Sequence, residues 1–126
     1  MNIIVTNNVM VKVNFEGIFQ VKYIEGSFYD VLVCVRDYIH NGYILLTHPL
    51  SGSVKPNETP YKSVLISKQY SKTNENKETD FQSLQIIEDS LMSIKKFIFR
   101  EIPEQYLSDL RKVDFTLINS AIANHL

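Results

Sequence analysis

The chain has 126 residues and a formal net charge of −1 at pH 7, with 44% hydrophobic and 21% charged residues. This length predicts a single domain over residues 1–126, and a charge so close to zero argues against a broad nucleic-acid-binding face. The sequence contains no apolar run of about 18 residues and no basic segment at its start, so we expect a cytoplasmic protein without membrane association.

The first apolar runs predict two strands with an ambiguous segment between them. Residues 2–6 form a β-branched run, and Asn7 and Asn8 end it, which is typical of a buried strand followed by a turn. Residues 9–17 alternate like a strand, but they also suit a short helix or an irregular crossover. Residues 19–25 alternate more clearly and predict the second strand.

The next segment predicts an amphipathic helix with both ends marked. Gly26 offers a turn, and the hydroxyl of Ser27 can cap the first helical turn. Five apolar residues then share one face of a 3.6-residue period: Phe28, Val31, Leu32, Val35 and Ile39. Gly42 suits the left-handed position after the helix.

Two continuous apolar runs, 43–47 and 63–67, predict strands that are buried on both faces. Residues 69–80 are almost entirely polar and predict an exposed loop. Helices should follow. The first should begin at a capping box over residues 79–82 and run to about Arg100.

Two further helix starts are indicated near the C-terminus. Pro103 suits the first position of one helix, and Asp114 could cap a last one. Strands that alternate with helices predict an α/β fold, here a three-layer sandwich with a small, mostly parallel sheet of about four strands and C-terminal helices. We expect the strand order 2-1-3-4. The connection 47–62 makes a poor crossover helix, however, so the fourth strand could instead run antiparallel.

Polar residues at the predicted strand ends indicate a binding site. Ligands of open α/β sheets bind at the carboxyl ends of the strands, where Ser67 and Lys68 would also lie if the last strand were parallel. The candidate ligand-binding residues at this edge and in the following loop are Asn7, Asn8, Ser27, Thr47, His48, Ser51, Gly52, Ser53, Lys55, Asn57 and Lys62.

The loop THPLSGSVKPNETPYK, residues 47–62, holds three of the four prolines. Its amides and hydroxyls at residues 51–53 could face a phosphate or carboxylate, with Lys55 and Lys62 as countercharges. From residue 47 to 72 there are four lysines and one acidic residue, a local net charge of +3. The alternative is a rigid surface loop whose polar residues only form turns. A loop of this length without regular structure favours a functional role.

Other chemistry has weaker support. His48 with Ser51 or Ser53 could suggest a nucleophile and its base, but the GxSxG pattern is missing. Three scattered histidines and one cysteine make no metal motif, and we expect neither a metal nor a cofactor. Cys34 lies near the apolar face of the predicted helix and suits a small core residue.

The run EGSFYDVLVCVRDYIHNGYILLTHPLSGSVKPNETPYKSVLIS, with TNN near the start and SLQIIEDS later, resembles the GrdX family. The similarity is dense over residues 25–68 and 83–90, and Val9 stands where the family usually has proline. The resemblance implies a small cytoplasmic protein encoded beside the selenium-dependent glycine, sarcosine and betaine reductases of anaerobic bacteria. Those complexes make acetyl phosphate and draw electrons from thioredoxin.

Three functions therefore stay open. The first is an accessory or regulatory protein that binds a small anion, such as phosphate or a carboxylate, or a reductase component through the 47–62 loop. The second is an enzyme acting on a phosphorylated or carboxylated metabolite such as an acyl phosphate. His48 would be its acid–base group, and Lys55 and Lys62 would bind the charged group of the substrate. The third is a purely structural module whose loop packs against its own C-terminal helices or against the partner in a homodimer.

Overall fold

Strands and helices alternate along the first half of the chain, which confirms the α/β class. The computed structural model describes residues 2–51, 58–68, 79–97 and 101–125. Its elements are β1 (Asn2–Thr6), α1 (Val9–Phe15), β2 (Gln20–Tyr23), α2 (Phe28–His40), β3 (Tyr43–Leu45), β4 (Ser63–Lys68), α3 (Phe81–Lys95) and α4 (Glu104–Ala123). Within these ranges no helix has both the length and the hydropathy to cross a bilayer.

The four strands form a mixed sheet in the order β2-β1-β4-β3. Strands β1 and β2 are parallel, whereas β4 is antiparallel to both of its neighbours, β1 and β3. The predictions of a mostly parallel sheet and of the order 2-1-3-4 are therefore wrong. Without a crossover helix to carry it to the other end of the sheet, the chain returns antiparallel and inserts β4 between β1 and β3.

This topology decides which residues meet at one edge of the sheet. The carboxyl ends of β1, β2 and β3 lie at the edge where β4 begins, because β4 runs in the opposite direction. Lys62 and Ser63 therefore lie at that edge, and Ser67 and Lys68 lie at the other.

Alternate residues of the two central strands enter two separate hydrophobic clusters, as the period of two along a strand requires. Ile3 and Val5 pack with residues of α2 and α3. Ile4 packs with residues of α1 and α4. Burying one fully enclosed side chain of this kind contributes about 2 kcal/mol. The layering of the predicted sandwich stays a prediction.

The local signals for α2 are confirmed. The Ser27 hydroxyl accepts a hydrogen bond from the amide of Asp30, whose carboxylate accepts one from the Ser27 amide. All five residues of the predicted apolar face are buried. Gly42 has φ 92°, the left-handed conformation expected after the helix. The ambiguous segment after β1 is the helix α1, and Asn8 caps it.

The C-terminal half departs from the predictions in several places. Asp80, not Thr79, caps α3, and its side chain accepts from the amide of Ser83. Helix α4 is continuous over 20 residues, so Asp114 lies inside it and caps nothing. Strand β3 is half-buried because it is an outermost strand of the sheet and pairs only with β4. Helix α3 ends at Lys95, so the prediction that it runs to about Arg100 is wrong. Of the loop predicted over residues 69–80, only residues 79 and 80 lie within the described residues.

Candidate ligand-binding site

A cleft opens at the edge of the sheet where β4 begins, between α4 and the residues that enter β4. It encloses about 350 Å³ of empty space, including its open mouth. Half of its ten lining residues are apolar: Phe28, Leu50, Leu110, Val113 and Leu117.

The other lining residues are polar: Ser51, Thr59, Tyr61, Lys62 and Asp114. Two of them, Lys62 and Asp114, carry opposite charges, and each is only 7% exposed. Charged side chains this buried are rare unless they are paired. Their surroundings therefore decide what the cleft can bind.

The Lys62 ammonium makes one hydrogen bond with the described part of the chain. Its Nζ donates to the backbone carbonyl of Ser51 at 2.8 Å, and two of its three protons have no partner among the described residues. Burial lowers the pKa of Lys62 below the ordinary lysine value of 10.5, and the Asp114 carboxylate offsets part of that effect. The ammonium is thus desolvated without full compensation.

The Asp114 carboxylate is bonded through one oxygen. Its Oδ2 accepts from the Ser63 hydroxyl at 2.7 Å and from Nδ2 of Asn8 at 3.0 Å. The Ser63 hydroxyl is also 2.7 Å from that of Thr6, which extends the network into β1. Among the residues that the structure describes, none donates to Oδ1, and no direct salt bridge joins Asp114 to Lys62.

A second cation lies beside the cleft. Nη1 of Arg111 donates to the Tyr61 hydroxyl at 2.7 Å, and the guanidinium lies 5.5 Å from the centre of the Tyr61 ring. These contacts hold Tyr61 in place in the lining. They also add positive charge near an opening that already contains Lys62.

Asn7, a predicted ligand-binding residue, has a structural role. Its Nδ2 donates to the carbonyls of Gly26 at 3.0 Å and Pro60 at 2.7 Å, and its Oδ1 accepts from the Lys62 amide at 2.9 Å. These bonds use both amide protons and join three separate stretches of chain. Asn7 therefore positions the cleft and does not line it.

The side chains of four other predicted residues form hydrogen bonds within the fold. Asn8 caps α1 through Oδ1 and donates to Asp114, and the Ser27 hydroxyl caps α2. The Thr47 hydroxyl accepts from the Leu65 amide at 3.0 Å. Nδ1 of the exposed His48 accepts from the Leu50 amide at 3.1 Å.

Of the predicted ligand-binding residues that the structure describes, only Ser51 and Lys62 line the cleft. The Ser51 hydroxyl donates back to the His48 carbonyl, so its contribution is the backbone carbonyl that holds Lys62. The other predicted loop residues lie outside the described residues: Gly52, Ser53, Lys55 and Asn57.

Sequence reasoning missed Asp114 and Tyr61. A signal for Asp114 was present, since Asp114, Ile118 and Ile122 recur at i, i+4 and i+8 and so share the buried face of α4. A carboxylate on the same helix face as two core isoleucines indicates a buried charge. Nothing in the sequence around Tyr61 distinguishes it from other loop residues.

Within the part of the chain that the structure describes, neither Cys34 nor a group of metal ligands contributes to the cleft. Burial raises the pKa of the Cys34 thiol above its ordinary value of 9.0, and Cys34 packs against the cluster of α2 and α3. Cys34 is partly buried, so it borders the core and is not one of its fully buried members. No group of three potential metal ligands occurs within the described ranges.

Comparison with known proteins gives one match. A sequence model described as GrdX-like protein matches residues 3–123, which is nearly the whole chain. Neither the curated proteins nor the solved structures contain a significant match.

Proposed function

Because the chain belongs to the GrdX-like protein family, we propose that it is an accessory or regulatory protein of the glycine, sarcosine and betaine reductase system. In this role it binds a small ligand with an anionic group, a carboxylate or a phosphate, in the cleft beside β4. The link to the reductases comes from the family resemblance. The binding site comes from the geometry of the cleft.

The observation that carries the proposal is the buried ammonium of Lys62. Moving an ammonium out of water costs several kcal/mol unless other groups replace its hydration. Here one carbonyl bond and a carboxylate outside direct contact replace only part of it. Perturbed lysines in clefts are candidates for functional sites, because an arriving anion supplies the missing interactions.

The position of Lys62 makes it suitable for this task. Its backbone amide is fixed by Asn7, and its Nζ is held by the Ser51 carbonyl, so the side chain is oriented at both ends. A pre-organised cation loses little conformational entropy when it binds an anion. The 47–62 loop thus contributes to binding through Lys62 and Ser51, which line an open cleft. That favours a binding role over a purely structural one.

No observation favours the enzyme alternative. It assigned acid–base chemistry to His48, but this residue is exposed, uses Nδ1 within its own loop and is not among the cleft lining residues. The polar groups that do line the cleft suit recognition of charge. Accordingly, binding is the activity to be tested first.

The test measures ligand binding with matched lysine variants. Acetate, inorganic phosphate and acetyl phosphate are titrated by calorimetry and by thermal shift against the native protein, Lys62→Met and Lys68→Met. Lys68 is exposed at the far end of β4 and serves as the control. A ligand at about 100 times its Kd stabilises the folded state by about 2.7 kcal/mol, which raises Tm by several degrees.

We expect native protein and Lys68→Met to bind at least one of these anions, and Lys62→Met to bind none. Binding that survives in Lys62→Met would refute the cleft as an anion site. A native protein that binds none of the three anions and no glycine, which also carries a carboxylate, would refute it as well. The reductase link is tested separately by capturing purified reductase components on immobilised protein. Failure to retain any component would reject the proposed partners.

A further inference from the structure

The proposed function leaves the chemical class of the ligand open, and the inference drawn here rests on that function. The cleft contains two buried charges of opposite sign, Lys62 and Asp114, each more than nine-tenths buried. They are close enough to influence each other electrostatically, yet no direct salt bridge joins them among the described residues. No salt bridge between them therefore competes with a ligand that reaches both groups from the cleft.

Both groups keep hydrogen-bonding capacity that faces no described partner. The Lys62 ammonium has protons left after its bond to the Ser51 carbonyl. The Asp114 carboxylate uses Oδ2 for Ser63 and Asn8, which leaves the lone pairs of Oδ1. One end of the site thus donates hydrogen bonds and the other accepts them.

A simple anion satisfies only half of this arrangement. Its charge would be attracted by Lys62 but repelled by the nearby Asp114 carboxylate, and Oδ1 would stay buried without a partner. A ligand with a carboxylate at one end and an ammonium at the other pairs both buried charges at once. The net charge of the cleft then does not change on binding.

We propose that the cleft binds a small zwitterion with a carboxylate and an N–H-bearing ammonium, such as a small α-amino acid. The ligand carboxylate accepts from Nζ of Lys62, and the ligand ammonium donates to Oδ1 of Asp114. The apolar lining residues, which include Leu110 and Val113, suit a ligand with little or no further polar surface.

The N–H requirement gives a chemical control. A carboxylate oxygen such as Oδ1 forms a short, strong hydrogen bond with a charged N–H donor. A trimethylated ammonium carries the same charge but has no proton to donate, and it is bulkier. The trimethylated form of the ligand should therefore bind more weakly than the parent amine.

The experiment compares four probes that divide the zwitterion into its parts. Acetate supplies the carboxylate, methylammonium the ammonium, glycine both, and N,N,N-trimethylglycine both without a donor proton. Each is titrated by calorimetry into the native protein at one pH and one salt concentration. We expect glycine to bind at least about tenfold more tightly than acetate, methylammonium or the trimethylated probe.

Two variants locate the effect. Asp114→Asn keeps an oxygen that can accept from Ser63 and Asn8 but removes the negative charge, so it should bind glycine and acetate about equally. Asp109→Asn, at an exposed position of α4, should keep the native preference. Thermal melts establish that each variant is folded. The four probes on native protein decide the question even if Asp114→Asn does not fold.

The outcomes separate this inference from the proposed function. If native protein binds acetate as tightly as glycine, the zwitterion is rejected and anion binding stands. If none of the four probes binds, and neither phosphate nor acetyl phosphate binds, both proposals are rejected. If the preference for glycine persists in folded Asp114→Asn, the assignment of the ammonium to Asp114 is overturned.

Discussion

Replacing Asn7 by alanine should destabilise the fold through one small group of hydrogen bonds. The Asn7 side chain is 7% exposed and joins the β2–α2 turn, through the Gly26 carbonyl, to the segment that enters β4, through the Pro60 carbonyl and the Lys62 amide. Alanine removes all three bonds and leaves a gap between these segments.

The size of the stability loss depends on whether each group that loses its bond to Asn7 can bind water instead. The Lys62 amide is buried and loses its side-chain acceptor, which costs about 1–3 kcal/mol. The Gly26 and Pro60 carbonyls are more exposed and can bind water, so each loses about 0.5 kcal/mol. We expect the free energy of unfolding to fall by about 3 kcal/mol. For a chain of this size that lowers Tm by about 10 °C.

Urea denaturation followed by circular dichroism measures the change, with Asn14→Ala as the matched control. Asn14 is exposed on α1, and its Nδ2 makes a single bond of 2.7 Å to the Met10 carbonyl. The control should stay within about 0.5 kcal/mol of the native protein. If Asn7→Ala is no less stable than Asn14→Ala, the structural role assigned to Asn7 is refuted.

Three further predictions concern stability and reactivity. Because burial lowers the pKa of Lys62, the unfolded state binds more protons between the folded pKa and 10.5, so the native protein should gain stability as pH rises through that window. Lys62→Met should lack this gain. The check is to measure the urea midpoints of the native protein and of Lys62→Met near pH 8 and near pH 10. Equal changes in the two proteins would contradict the reasoning. Ser27→Ala should cost about 1 kcal/mol in urea denaturation through loss of the α2 cap, whereas Ser120→Ala, on the exposed face of α4, should cost much less. The raised pKa of Cys34 should make its alkylation by iodoacetamide slower in the native protein than in urea, and equal rates would show that the thiol is accessible and ordinary.

The predictions that succeeded depend on neighbours in sequence. Helix α2 was predictable because its apolar period, the Ser27 cap and the Gly42 terminus all act within one or two turns of chain. The four strands were recognisable for the same reason. The sequence also indicated at which end of the sheet polar residues gather, because the polar residues that follow each strand are visible locally. The cleft lies at that end.

The features that sequence reasoning missed depend on partners far along the chain. The direction and place of β4 are set by pairing with β1, whose residues lie about 60 positions away. The sequence around Asp114 suggests a helix cap, and its actual role depends on hydrogen bonds from Ser63 and Asn8, which lie far away in the sequence. Asn7 and Lys62 were both predicted as ligand-binding residues, but only the three-dimensional contacts distinguish the residue that supports the cleft from the residue that lines it.

The insertion of β4 between β1 and β3 has a consequence for how the chain folds. Strand β3 pairs with β4 alone, so it has no partner until residues beyond 62 have left the ribosome. Strand β1 can pair early with β2 but must keep its other edge open until β4 arrives. Closing such a long loop before its contacts form slows folding. Truncated chains that end before β4 should therefore expose two unpaired strand edges, which are known routes to aggregation.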